Sequence, residues 1–254
     1  MSVDEVHEAC AQLRFAEGLR RRWEEARAES AIREACGLAL LAGARVSPTQ
    51  LRAVVVTGRQ EGRPGPDLAV ALGAWKATWT IVSGLPPLNV RSGLGPAKSS
   101  GLSLRQSLAG MQRDYGGYLA EVGLADPAQL TIPRDPTQWG QLLAGLEGDT
   151  QPALTLAGRA WAALTVLEPF EVGSELMGIL TAKLVLAQRG VEPTAVSVLT
   201  ALAVEQRARY QLALAELRAG ESAEWDQFVA DAVVRGCEVG QQVAREVQAG
   251  RLAP

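Results

Sequence analysis

The fold is decided by residues 167–186, LEPFEVGSELMGILTAKLVL, which combine the end of one helix, a short loop and the start of a second helix. The loop contains a proline and Gly173, residue types that stop a helix and allow a tight turn. Its acidic residues fall within eight positions, and they are Glu168, Glu171 and Glu175. Such a loop is either an active-site loop or the remains of one, and the rest of the chain distinguishes the two.

The composition indicates a folded protein with a hydrophobic core. The chain has 254 residues, of which 47% are hydrophobic, with a mean hydropathy of +0.04 and a formal net charge of −3. This share of apolar residues is typical of globular proteins. The nearly balanced charge gives no reason to expect nucleic acid or an anionic membrane as a partner. The most apolar window, 68–88, is interrupted by Lys76 and Pro86-Pro87, which favours a buried helix over a membrane span.

The histidine and cysteine content restricts the chemistry. His7 is the only histidine, so a Ser-His-Asp triad, a Cys-His pair or a multi-histidine metal site would depend on it, and we expect it on the surface of the first helix. Cys10, Cys36 and Cys237 are odd in number, far apart and without CxxC spacing, which argues against a disulfide framework and a zinc site. The amino terminus lacks the apolar segment of a secretory signal. We therefore expect a reduced, cytoplasmic protein.

Helix signals dominate the chain. Ser2 and Glu5 form a capping-box pattern that predicts a helix through about Glu29, and Ser47-Pro48-Thr49-Gln50 is typical of the start of another. Apolar periodicity and terminating glycines predict further helices over 31–42, 67–82, 102–114, 137–146, 153–166, 175–189, 194–218 and 222–248. Residues 118–133, which contain Asp126-Pro127, predict a short β-hairpin. The expected fold is one all-α domain over residues 1–254 with one short β-hairpin.

Residues 84–101 form the longest irregular stretch, and part of it, SGLGPAKSS, superficially resembles a phosphate-binding P-loop. The P-loop pattern requires glycine at positions 92 and 97, where Ser92 and Ala97 stand. We therefore expect no nucleotide cradle in this loop.

Three segments resemble, in order, the core of the Fic (Fido-fold) family: IPRDPTQWGQLLAGLEGD, LAGRAWAALTVLEPFEVGSELMGILTAKLVLAQRGVEP and RYQLALAELRAGESAEWDQFVADAV. The resemblance covers residues 116–240 well and the amino-terminal part loosely. It implies a helical Fido-type domain, and the family usually transfers AMP from ATP to a hydroxyl group on a target protein. Its signature is HPF, any residue, Asp or Glu, GNGR, two residues and Arg, placed between two helices.

Aligned with that signature, the chain keeps structural positions and loses chemical ones. The catalytic His, which is the base in the family, falls on Glu168, and the acidic magnesium ligand falls on Val172. Pro169, Phe170 and Gly173 match, and the resemblance implies that Phe170 is a buried side chain that orients the loop. We therefore expect no magnesium site of the family type.

The phosphate-binding half of the signature is also lost. The family's Asn falls on Ser174, the next Gly on Glu175, and the two Arg on Leu176 and Ile179. Ser174 is expected to cap the following helix, and Glu175 suits its positive end but fills an anion site with negative charge. Leu176 and Ile179 are expected to present apolar surface where guanidinium groups would bind phosphates. We expect no cofactor and no bound metal.

Residues 1–60 resemble a regulatory segment of the family, in which a helical Glu pairs with the last Arg of the signature. The stretch AESAIREACG aligns in two registers, one with Glu34 in that place after Ser30, the other with Arg33. In both registers the partner position is Ile179, so the inhibitory ion pair cannot form. We expect this helix to persist as packing.

Three hypotheses follow from the sequence. The favoured one is a catalytically degenerate protein of this fold that acts as a scaffold or regulatory partner. The second is an enzyme with altered chemistry, in which Glu168 is a base, or in which Glu168, Glu171 and Glu175 hold a cation. The third is a partner subunit of an active Fic-type or toxin-like protein. All but the second require an unidentified protein partner, and the sequence leaves open a homo-oligomer.

Overall fold

The computed structural model describes residues 3–58, 62–88 and 103–252. Within these ranges the chain forms helices and no strand. The helices are α1 (Val3–Arg14), α2 (Glu17–Leu41), α3 (Pro48–Thr57), α4 (Pro66–Ser83), α5 (Leu104–Glu121), α6 (Pro136–Glu147), α7 (Ala153–Leu167), α8 (Ser174–Gln188), α9 (Thr200–Glu205), α10 (Arg207–Arg218) and α11 (Ala223–Gln248). The all-α prediction is confirmed. In the part of the chain so described, no helix is both long enough and apolar enough to cross a membrane.

The core is centred on α7 and α8, which pack against each other and are joined by residues 168–173. Helix α8 is buried along almost its whole length, and α7 buries the face that contains Trp161 and Leu164. Because both helices are fixed in the core, the loop between them has two immobile ends. The loop position is therefore set by the core and not by the loop sequence alone.

A cluster of buried aromatic side chains connects α7 to α10 and α11. The rings of Trp161, Tyr210, Trp225 and Phe228 contact one another, with centroid separations from 5.2 Å for Tyr210–Phe228 to 6.2 Å for Tyr210–Trp225. Trp225 Nε1 donates to the carbonyl oxygen of Gly158 at 3.0 Å. Buried aromatic groups of this size contribute heavily to core packing. They hold α10 against α7, on one side of the loop.

The β-hairpin predicted over residues 118–133 is wrong. Helix α5 continues to Glu121, and the residues after it form successive turns. Asp126 organises one of them, because its carboxylate accepts from the amide of Ala128 at 2.9 Å and its carbonyl accepts from the amide of Gln129 at 3.0 Å. Leu130 packs onto α5, where a Cβ atom placed on Gly116 would lie 2.5 Å from its Cδ2. The Asp-Pro and glycine signals therefore mark turns that fold back on a helix, not strands.

Two predicted helices also have different limits. The helix predicted to run from Ser2 to about Glu29 is interrupted at Phe15 and Ala16. The helix after the interruption, α2, does not end near residue 29 as predicted but reaches Leu41. The predicted helix 194–218 is replaced by an irregular segment followed by α9 and α10. The irregular segment forms because the buried carboxylate of Glu192 accepts hydrogen bonds from the amides of Thr194 and Ser197. Most of the irregular stretch 84–101, including SGLGPAKSS, lies outside the described residues.

Candidate functional site

The loop of residues 168–173 begins and ends with left-handed backbone. Glu168, the C-cap of α7, has φ +44°, and Gly173, the N-cap of α8, has φ +82°. Only glycine adopts this conformation without cost. At Gly173 a side chain would also lack space, because a Cβ atom would lie 2.6 Å from Cδ1 of the buried Tyr115. Glycine is therefore required at position 173 for two reasons, the left-handed backbone conformation and the close contact with Tyr115.

Two carbonyl oxygens of the loop accept hydrogen bonds, one from the segment before α6 and one from a side chain of α5. The amide of Arg134 donates to the carbonyl oxygen of Pro169 at 2.8 Å. Gln112 Nε2, on α5, donates to the carbonyl oxygen of Val172 at 2.9 Å. Val172, the position aligned with the magnesium ligand, thus offers only its backbone, and that backbone is used for anchoring.

Phe170 is buried, and its ring meets Trp139 edge to face at 5.1 Å between centroids. The Ser174 hydroxyl accepts from the amide of Phe170 at 3.1 Å and lies 3.3 Å from the carbonyl of the same residue, to which it donates. Ser174 was expected to cap α8, and that expectation is wrong, because Gly173 is the N-cap and no side chain caps this helix. The Ser174 hydroxyl instead joins the start of α8 to the backbone of Phe170 in the loop.

A cavity of about 430 Å³ lies between this loop, the end of α7 and α10. The loop side carries Glu168, Glu171 and Glu175. The α10 side carries Tyr210 and two cations, Arg207 and Arg218. Arg207 Nη2 also donates to the carbonyl oxygen of Leu41 at 3.3 Å. The cleft therefore has an acidic wall and a basic wall.

Glu175 is held in place by α10. Its Oε1 accepts from the hydroxyl of Tyr210 at 2.8 Å, and the same hydroxyl accepts from Trp161 Nε1 at 3.2 Å. Burial, followed by the charge of Glu175, raises the pKa of Tyr210 well above its ordinary value, so the phenol stays protonated and donates. Burial and Glu175 also raise the pKa of Tyr115 to about 12. The carboxylate is thus fixed in the first turn of α8.

Glu168 and its acidic neighbours do not form a metal site. Among the described residues no group of three or more His, Cys, Asp or Glu side chains is placed to hold a metal ion, so Glu168, Glu171 and Glu175 do not converge as a cation site. Glu168 instead faces Arg134 at 3.6 Å, and both side chains are more than half exposed. An exposed pair at this distance contributes little.

Leu176 and Ile179 lie in the core and not on the cleft. Leu176 is 6% exposed and Ile179 is fully buried, and neither lines the cavity. The expectation that they form the apolar wall of a former phosphate site is therefore wrong. Their burial has a stronger consequence, because a guanidinium at position 179 would be removed from solvent.

Glu34 has a partner that the sequence did not predict. Its carboxylate is fully buried and lies 3.3 Å from Lys183 Nζ, on α8 one turn after Ile179. It also accepts from the amides of Leu199 and Thr200, each at 2.9 Å, at the start of α9. The pair was missed because the resemblance directs attention to position 179 alone.

The alternative register for this segment, with Arg33 in the regulatory place, does not apply. Arg33 bonds to Glu29 at 2.9 Å on its own helix and to Glu246 on α11. His7 is exposed on α1, as predicted from the sequence. Cys10 and Cys237 are far apart in the sequence but close in space, because their Sγ atoms lie 3.7 Å apart.

The fold is similar to solved structures of Fic proteins. Fic-1 from C. elegans superimposes with a TM-score of 0.68 at 18% sequence identity, over 94% of this chain and 71% of that chain. A Fic family protein from Desulfovibrio desulfuricans G20 superimposes with a TM-score of 0.64 at 14% identity, over 100% of this chain and 77% of that chain. No family model and no curated protein matches the sequence. The Fic fold predicted from the sequence is confirmed by three-dimensional similarity.

Proposed function

We propose that this chain, which has the fold of Fic proteins, is a non-catalytic form of that fold and acts by binding another protein. The observation that carries the proposal is the position of Glu175. Its carboxylate occupies the first turn of α8, where a helix offers its unpaired amides and positive dipole to an anion, and Tyr210 holds it there. The chain's own negative charge is therefore fixed where a nucleotide phosphate would bind.

The rest of the cleft supports the same proposal. A triphosphate binds through several charge-assisted hydrogen bonds, most often from guanidinium groups. The two aligned positions, Leu176 and Ile179, are in the core. Arg207 and Arg218 lie on the opposite wall, and Arg207 already bonds to the end of α2. Among the described residues that line the cavity, none contributed by α8 is a cation.

An altered enzyme has less support. A carboxylate becomes an effective base near neutral pH when burial raises its pKa. Glu168 is more than half exposed and faces Arg134. Its left-handed backbone is the one unusual feature, and it is explained by its position as the C-cap of α7.

Support for a protein partner comes from two exposed apolar side chains beside the loop of residues 168–173, here called the rim, which do not themselves line the cavity. Ile132 is 51% exposed and Leu167 is 38% exposed. Each lies two residues from the hydrogen bond between the Arg134 amide and the Pro169 carbonyl, which brings their segments together. Exposed apolar residues beside a charged rim are typical of protein interfaces.

We expect binding of the partner protein to be lost when the two apolar residues of the rim are replaced by polar ones. We expect full-length wild-type protein, purified from its native host under gentle conditions, to bring a defined protein with it, and Leu167→Asp with Ile132→Asp to reduce the recovery at least tenfold. Two lost apolar contacts of an interface cost about 1.5–3 kcal/mol each when fully buried. The recovery is measured by quantitative mass spectrometry against an untagged strain.

Val56→Asp is the matched control, because Val56 is 65% exposed on α3, a helix that packs against α2 and α4. It should retain the partner. Recovery of the same protein with the rim variant would exclude this surface. A captured protein that is itself an active Fic-type or toxin-like enzyme would identify the chain as its partner subunit.

ATP should not stabilise this protein. We expect no change in melting temperature at millimolar ATP, with or without magnesium, because Glu175 repels the phosphates and two charge-assisted contacts of about 1.5–3 kcal/mol each are missing. A ligand at a hundred times its Kd would stabilise the fold by about 2.7 kcal/mol, which is a shift of roughly 5–10 °C for a chain of this size. Differential scanning fluorimetry measures the shift.

Labelled ATP provides the second measurement. We expect no transfer to the protein itself or to lysate proteins, and none after Glu168→His, because restoring a base leaves the phosphate site incomplete. A clear rise in melting temperature with ATP that Glu175→Gly strengthens would contradict the proposal. Transfer above background that Glu168→Ala abolishes would show instead that Glu168 is catalytic.

A further inference from the structure

The first and last helices meet through two thiols. Cys10 on α1 and Cys237 on α11 are separated by 227 positions, and their Sγ atoms are 3.7 Å apart. Cys10 is 3% exposed and Cys237 is fully buried. A disulfide needs about 2.0 Å between the sulfur atoms, so closure requires an approach of under about 2 Å, within reach of side-chain rotation and small helix shifts.

Helix α1 is attached by one narrow face. Its buried residues are Val6, Cys10 and Leu13. Leu13 packs onto α11 at Gly240, where a Cβ atom would lie 3.0 Å from Leu13 Cδ2. The chain then breaks at Phe15, which is 73% exposed. A helix with so few buried side chains opens locally at a much lower free energy than the whole fold.

We propose that Cys10 and Cys237 are a modification site at which a reversible disulfide fastens α1 to α11. The co-reactant is a low-molecular-weight disulfide of the glutathione class. One cysteine thiolate attacks it, which forms a mixed disulfide and releases one glutathione thiol. The second cysteine attacks the mixed disulfide, which forms the Cys10–Cys237 bond and releases the second thiol. Two protein thiols are oxidised and one glutathione disulfide is reduced to two thiols.

The structure also sets when this reaction proceeds. The contact with Cys10, followed by burial, raises the pKa of Cys237, so that thiol is unreactive in the closed form, and both sulfur atoms are shielded from solvent. Exchange therefore requires α1 to open, which exposes both sulfur atoms together. Once the bond has formed, α1 can no longer open. In a reducing compartment the pair stays reduced, and the bond forms as the glutathione pool becomes oxidised.

The test uses full-length protein with Cys36→Ser, which removes the third cysteine. After equilibration with oxidised glutathione at neutral pH, the intact mass should fall by two hydrogen atoms without a glutathione adduct, and peptide mapping should join Cys10 to Cys237. The melting temperature should exceed that of the same sample treated with dithiothreitol by roughly 5–15 °C, because the bond closes a very long loop of the unfolded chain.

The control is Cys36→Ser with Cys10→Ala, which keeps Cys237 and the small apolar character of position 10. It should show no oxidant-dependent rise in melting temperature. The proposal is overturned if native protein forms no Cys10–Cys237 bond while a sample in denaturant, given the same buffer, does form it. It is also overturned if the bond lowers the melting temperature or if oxidation joins separate chains.

Discussion

Glu34→Ala is expected to destabilise the protein by about 3–5 kcal/mol, which is the cost of breaking a buried ion pair by removing one partner. The carboxylate of Glu34 is bonded to Lys183 Nζ and to the amides of Leu199 and Thr200. Its removal leaves the ammonium of Lys183, which is 1% exposed, with its hydrogen bond to the Ser197 carbonyl and without its counter-ion. It also leaves the first amides of α9 without their acceptor. Urea unfolding, followed by circular dichroism, measures the loss.

A double variant separates the two causes. Lys183→Met in addition to Glu34→Ala removes the unpaired charge and should recover about half of the lost stability, because the amides of α9 remain without an acceptor. Arg33→Ala, on the adjacent position of α2, leaves the buried Glu29 with its second partner Arg52 and should cost less than Glu34→Ala, about 1–2 kcal/mol. If Glu34→Ala costs no more than Arg33→Ala, the buried pair does not stabilise the fold.

Gly173→Ala is expected to destabilise the protein by roughly 2–5 kcal/mol. About 1–2 kcal/mol arises from placing alanine at φ +82°, and about 1–3 kcal/mol from displacing the buried Tyr115 ring, which lies 2.6 Å from the new Cβ atom. Because Gly173 is the N-cap of α8, the displacement also shifts Glu175. Chemical unfolding measures the cost.

Gly190→Ala is the matched control. Gly190 has φ +77°, and a Cβ atom there would meet nothing within 4 Å, so this variant carries the backbone cost alone, about 1–2 kcal/mol. The difference between the two variants isolates the contact with Tyr115. Equal losses of unfolding free energy in the two variants would show that the Tyr115 ring does not oppose the added Cβ atom.

Much of the helical fold is predictable because local signals agree with the final structure. The predicted start at Ser47 is confirmed, since its hydroxyl accepts from the amide of Gln50 at 3.2 Å and Pro48 begins α3. The hairpin was mispredicted because Asp-Pro and glycine specify a turn without specifying what the chain does on either side of it. Only the packing of Leu130 onto α5 decides that.

The position of the site could be predicted from the sequence, but the distant residues that hold the loop in place could not. The loop, its glycine and its acidic residues are visible in the sequence. Gln112 and Tyr210, which anchor Val172 and Glu175, are 60 and 35 positions away from those partners and have no local signal. The Glu34–Lys183 pair spans 149 positions and the two thiols span 227. Such contacts arise from the packing of helices that are distant in sequence.

The burial of Ile179 sets how readily a phosphate-binding cation could be introduced at this position by mutation. A substitution on the exposed loop, such as one at Glu168, can be exchanged and exchanged back at little cost to the fold. A guanidinium at position 179 would enter a closed core, so selection would remove that variant for misfolding before any gain in phosphate binding was tested. Placing a guanidinium there would need the surrounding helices to repack first. Position 179 therefore tolerates a charged side chain far less than the exposed loop beside it does.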